Sequence, residues 1–166
     1  MKNFFSINPD NGFITINNKY GLIPNLLAKD FLVSELYEQY SMDVTNEDQL
    51  RYQPKVLLNV KNAYDYSWYF ALTFKNTSYD QMVLNKVRIY ISRNSIPEII
   101  KEKDSDLNYL RNLLNDFFVN IPYKEKNTMI RYNFPWGIVT IGLLPDGILP
   151  KIIVNYNISS MNYLVV

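Results

Sequence analysis

Asp30, Glu35, Glu38, Asp43, Glu47 and Asp48 crowd one stretch of the chain, opposed nearby by Lys29 and Arg51. Carboxylates at that density can chelate a hard cation, move protons, or face a cationic partner. The run DVTNED, Asp43 to Asp48, has the oxygens of a calcium loop but lacks its central glycine and distal bidentate glutamate. Acid–base pairs cannot be picked out by spacing alone. Asp30 is a candidate because it falls within the apolar arc of a predicted helix, where a charge needs a reason. The third use, an acidic patch that steers a basic partner, recruits all of these carboxylates. It competes with the plain alternative of a solvated helix face and loop.

The rest of the catalytic toolkit is thin. The chain contains no cysteine and no histidine, which excludes disulfides, thiolate catalysis, Cys- or His-ligated metals and imidazole acid–base chemistry. Neither a Walker A loop nor a dinucleotide fingerprint occurs among its glycines. The expectation is a protein without turnover, with no catalytic residue, no cofactor and no metal. A carboxylate-dependent enzyme is the alternative.

A second constellation is basic and aromatic. Alternation places Lys61, Tyr69, Lys75, Lys86, Arg88 and Tyr90 on the outward face of central strands. Such a face resembles a stacking platform for single-stranded nucleic acid, or is an ordinary surface of cross-strand Tyr–Lys pairs. A net charge of +1 supplies no global field to hold a polyanion.

The elements that must position these groups follow from periodicity. Phe4–Ile7 and Phe13–Ile16 flank Pro9-Asp10-Asn11-Gly12 and predict a hairpin. Ile23, Leu27, Phe31 and Ser34, widened by Leu26, Val33, Tyr37 and Tyr40, predict one helix from Pro24 to Gln39. Residues 41–54 read as a loop. Strands follow on Val56–Val60, on the alternation Tyr64 to Phe74, and on Val87–Ile91. A helix over Asp106–Asn120, with Ser105 as N-cap, carries the stripe Leu107, Leu110, Leu114, Phe117, Phe118 and Ile121. A closing hairpin runs out along Ile130 to Ile138 and back along Ile152 to Ile158, around Pro145-Asp146-Gly147. On this strand Trp136 belongs to the core and Gly137 points outward, permitting a bulge or the close approach of another backbone.

The predicted order is ββ-α-βββ-α-ββ. It implies one α+β domain over residues 1–166, a mainly antiparallel sheet with two packed helices, and Trp68, Phe70, Phe117 and Trp136 in the core. A hydrophobic content of 48% with 20% charged residues is that of a folded chain. No stretch has the length of a membrane span, and the apolar start is too short for a signal peptide, so a cytoplasmic protein with no membrane partner is expected.

Several segments together resemble small bacterial immunity proteins, which protect a cell from its own polymorphic toxins of the contact-dependent, Rhs or type VI effector kind. They are FFSINPDNGFITI, FLVSEL, WYFALTF, the aromatic-x-Trp-Gly pattern at Phe134–Gly137, and KIIVNY. The stretch LLPDGILPK departs from the pattern, since related sequences often carry an acidic-basic turn after Trp-Gly. The resemblance implies a non-enzymatic protein that binds one toxin domain and occludes its active site or an essential surface. On that basis the expected partner is a toxin with a basic surface, met by Asp30 and the segment from Glu35 to Asp48. The alternative interface is the sheet face at Tyr69, Lys86, Arg88 and Tyr90, and the alternative function is single-stranded nucleic-acid binding on that same face.

Overall fold

The computed structural model describes residues 4–41, 55–61, 66–76, 82–93, 103–127, 129–142 and 150–157. At 55–57, 59–61, 66–67, 92–93 and 103–105 it describes the backbone alone. Within these bounds the chain runs β1 (Phe5–Ile7), β2 (Ile14–Ile16), β3 (Tyr20–Leu22), α1 (Ala28–Leu32), α2 (Glu35–Tyr40), β4 (Lys55–Lys61), β5 (Tyr66–Asn76) and β6 (Met82–Arg93). It continues through α3 (Lys103–Phe117), β7 (Lys124–Lys126), β8 (Met129–Phe134), β9 (Gly137–Gly142) and β10 (Lys151–Tyr156). The strands form a small sheet, β1-β2-β3, and a large one, β4-β5-β6-β10-β9-β8-β7. The α+β class and the antiparallel pairing agree with the sequence, while the element order is richer than predicted.

Each departure has a local cause. The hairpin gains β3 because Asn17 and Asn18 both take positive φ (54° and 55°), a conformation asparagine tolerates better than most residues. Lys19 N–H then closes the turn on Ile16 O at 3.1 Å. The predicted helix over 24–39 is two short helices because of Ser34. Its hydroxyl donates to Phe31 O at 2.5 Å, ending α1, and accepts from Tyr37 N–H at 3.2 Å, capping α2. Val33, expected on the apolar face, is left 85% exposed at the junction. In the second helix Ser105 lies inside α3 rather than at its N-cap, and Asn120 (φ 64°) turns the chain away after Phe118.

The closing hairpin is in fact three strands. Pro135 has no N–H to give to a ladder, so the predicted continuous strand through it folds into a tight turn, with Phe134 paired to Gly137. Trp136 therefore sits in the turn, half-buried at the edge of the core, as is Phe117 on α3. Trp68 and Phe70 are fully buried as expected.

Gly137 is buried rather than outward. A Cβ there would run into Asn155 O on β10, so the close backbone approach is the reason for the glycine. Trp136 lies flat against Gly12, whose φ of 75° and lack of a side chain make room for the indole. Its Nε1 donates to Pro9 O at 2.8 Å, and the Tyr156 hydroxyl donates to Gly12 O at 2.7 Å. The Trp-Gly pair thus fastens the first turn of the chain to the large sheet.

Alternation in β5 puts Trp68, Phe70, Leu72 and Phe74 on one face of that sheet, each at most 1% exposed. The other layer packs on this face. Phe5 meets Trp68 with ring centroids 5.2 Å apart, Phe31 meets Phe74 at 5.6 Å, and Phe118 of the turn after α3 meets Tyr132 at 4.9 Å. One hydrophobic cluster takes side chains from both sheets and from all three described helices.

Candidate functional site

The face of the large sheet opposite this layer is built by register. The register pairs Tyr69 with Tyr90, and Lys151 on β10 extends that row beside Tyr90. A second row runs Ala71, Arg88, Ile153, Thr140, Arg131, Lys124, crossing from β5 to β7. A third runs Thr73, Lys86, Asn155, Ile138, Asn133. Most of these side chains are half-buried; Arg131, Asn133 and Lys124 are exposed.

Among the described residues the three rows hold five cations and no carboxylate: Lys86, Arg88, Lys124, Arg131 and Lys151. The described carboxylates stand elsewhere, on the helices, in the β1–β2 turn at Asp10, and at Glu125, which faces α3 and pairs with Arg111 at 3.4 Å. Among the described residues the row face thus carries cations alone, while the carboxylates share the other layer with Lys19, Lys29 and Arg111.

At the centre of the first row the rings of Tyr69 and Tyr90 stack, with centroids 5.0 Å apart and planes 8° from parallel. Lys151 Nζ lies 5.6 Å from the Tyr90 centroid, within cation–π range. Burial, and secondarily the neighbouring Tyr69, raises the Tyr90 pKa above the usual phenol value, so the hydroxyl remains a neutral donor. Arg131 is oriented along its strand by Asn133, Nε to Oδ1 at 3.2 Å. Tyr69, Lys86, Arg88 and Tyr90 are thus brought together as the sequence indicated, with Lys75 exposed further along β5. Lys61 is described by its backbone alone.

Lys151, Arg131 and Ile153 complete this surface and were missed. Alternation in 129–134 and 151–156 marks them as outward, but their strands come from distant parts of the chain. That β10 lies beside β6 is not legible from local pattern.

The acidic candidates distribute differently. Asp43, Glu47 and Asp48 lie outside the described residues. Asp30 is exposed on α1, and with Glu35, Lys19 and Tyr20 it lines a cavity of about 200 Å³ between β3 and the two short helices. The helix break at Ser34 removes the oddity of Asp30, since the arc in which it looked misplaced does not continue. Glu35 is engaged: its Oε1 accepts from Lys19 Nζ at 2.9 Å and from Gln39 Nε2 at 3.0 Å. The hydrogen bond to Lys19 lowers the Glu35 pKa, and its counterpart raises that of Lys19. Both groups are in water, so the pair adds little stability, but it cancels one charge of the acidic patch. Glu38, three residues further along α2, is exposed.

No group of three or more acidic residues capable of holding a metal ion occurs among the described residues, and no described helix is long and apolar enough to cross a membrane. No protein family, no curated protein and no solved structure matches the chain.

Proposed function

We propose that the protein is a binding protein of the toxin-immunity kind, acting in the cytoplasm of the cell it protects by covering the active site or an essential surface of one toxin domain. The observation that carries this reading is the face of the large sheet that no described helix or strand covers. It sets two stacked tyrosines and several cations in three adjacent rows across as many as six strands. A surface of that extent suits a macromolecule. Among the described residues, the cavity beside β3, at about 200 Å³, falls below the roughly 300–1,000 Å³ typical of small-molecule sites.

The segments that resemble immunity proteins support the reading from the other side. FFSINPDNGFITI, FLVSEL, WYFALTF and KIIVNY all supply residues to the core beneath this face, and WYFALTF and KIIVNY also place Tyr69, Lys151 and Ile153 on the face itself. Co-expression with the product of the adjacent upstream gene tests the proposal. Growth arrest by that product alone, relieved by this protein through a stable complex, is the expected result. A neighbour that is harmless, or whose toxicity this protein leaves untouched, would overturn it.

A further inference from the structure

Resting on that reading, we infer that this sheet face, which no described element covers, docks a folded protein surface that is acidic around an apolar centre, rather than a basic toxin surface or a nucleic-acid strand. Charge is the first ground. Lys86, Arg88, Arg131 and Lys151 share the face with no described carboxylate. A basic partner would meet like charges, and so would a second copy of this chain presenting the same face.

Composition is the second ground. Ile153 and Ile138 sit half-buried on adjacent strands in the middle of the rows, with tyrosine and arginine around them. An apolar centre inside a polar rim, anchored by Tyr and Arg, is the anatomy of a protein interface.

The tyrosine geometry separates protein from nucleic acid. A base-reading platform offers free ring faces on which bases stack. Here Tyr69 comes from β5 and covers one face of the Tyr90 ring, while Lys151 comes from β10, on the other flank of β6, and lies over the same ring. Both faces of Tyr90 are taken. What the pair presents outward is ring edges and hydroxyl donors, which suit carboxylates and backbone carbonyls.

The test uses the full chain and an inactivated form of the adjacent gene product, with affinities measured at low and at physiological salt. Combined Lys86→Glu, Arg88→Glu and Lys151→Glu should weaken binding about 100-fold or more, and Tyr90→Ala about tenfold or more. Glu38→Lys should stay within about threefold, as a remote site does. A folded triple variant with wild-type affinity would overturn the inference, and loss of binding in Glu38→Lys would move the interface to the acidic helices.

If the wild-type protein does not bind that product, the immunity reading fails, and the surface is judged separately by amide-shift titration of isotope-labelled protein. Poly-L-glutamate should shift amides around Tyr69, Arg88 and Ile153, and its failure to do so would overturn the acidic-partner inference on its own. An oligo-dT strand of about 20 nucleotides should release at physiological salt, as a purely electrostatic ligand does. Retention that depends on Tyr90 would assign the face to nucleic acid instead. A dimer dispersed by Arg88→Glu would assign it to a second copy.

Discussion

Trp68 is fully buried, yet its indole Nε1 has no hydrogen-bond partner among the described residues. The ring is held by Phe4, stacked at 5.5 Å, and by the edge of Phe5 at 5.2 Å, contacts that a phenyl ring can largely reproduce. An orphaned buried donor costs about 1–3 kcal/mol, similar to the void left by a slightly smaller ring. Trp68→Phe should therefore change stability by no more than about 1 kcal/mol, against about 3–5 kcal/mol for Trp68→Ala. Urea denaturation of both variants checks this, and a large loss in Trp68→Phe would mean that the indole N–H does have a partner. Tyr156 gives the opposite case. Its hydroxyl is buried and bonded to Gly12 O, and burial raises its pKa far above the ordinary value. The unfolded chain releases phenolic protons near pH 10, while the folded protein retains this one. Stability is therefore full below about pH 10 and falls as pH rises beyond it. The raised pKa values of Tyr40, Tyr90 and Tyr132 act in the same direction. Tyr156→Phe should cost about 1–3 kcal/mol at neutral pH and flatten the alkaline decline, as read from melting temperatures between pH 8 and pH 11.

At the level of elements, the turn at Pro135-Trp136 concentrates several roles in few residues. Asn157 N–H returns to Trp136 O at 2.9 Å, and Phe134 stacks on Trp136 with centroids 4.7 Å apart. Gly137→Ala must push β9 away from Asn155 O, a backbone atom with nowhere to go. A loss of about 3 kcal/mol or more is expected by thermal or chemical denaturation, and a fully stable variant would show that the two strands can part. The same elements show what was legible beforehand. Period-two alternation revealed β5 and β6 and their outward residues, because a strand with one wet face writes that pattern locally. The turn at Asn11-Gly12 was legible for the same reason. Ser34 and Pro135 were misread as members of continuous patterns, although each carries the chemistry of a break. A hydroxyl that can cap in both directions, and a ring without an N–H, outweigh periodicity where they occur. The pairing of β10 with β6 left no local trace, so Lys151 could not be placed beside Tyr90.

Across the whole molecule, a net charge of +1 conceals a polarity among the described residues. Composition gives a sum, and only the sheet register shows that the described carboxylates and the row cations occupy opposite layers. The described acidic residues Asp30, Glu35 and Glu38 are thus answered by a basic face on the other side of the sheet. The position of β10 has a different consequence, which concerns the order of synthesis. It is the central strand of the large sheet but the last of its described strands to leave the ribosome. Until it arrives, β4-β5-β6 and β7-β8-β9 are two separate ribbons, and the edges of β6 and β9 that will receive it are open. The first turn of the chain waits as well, since its fasteners Trp136 and Tyr156 lie 127 and 144 residues further on. Contacts of such long range make folding slow, and unpaired edges invite the strands of other chains. Release of the nascent chain just before Lys151 should therefore leave two sticky half-sheets, and solubility should collapse at that length instead of declining gradually. A series of stop codons across residues 143–158, scored by the fraction of protein that pellets, would show a step at β10 if the central strand closes the sheet, and a smooth slope if it does not.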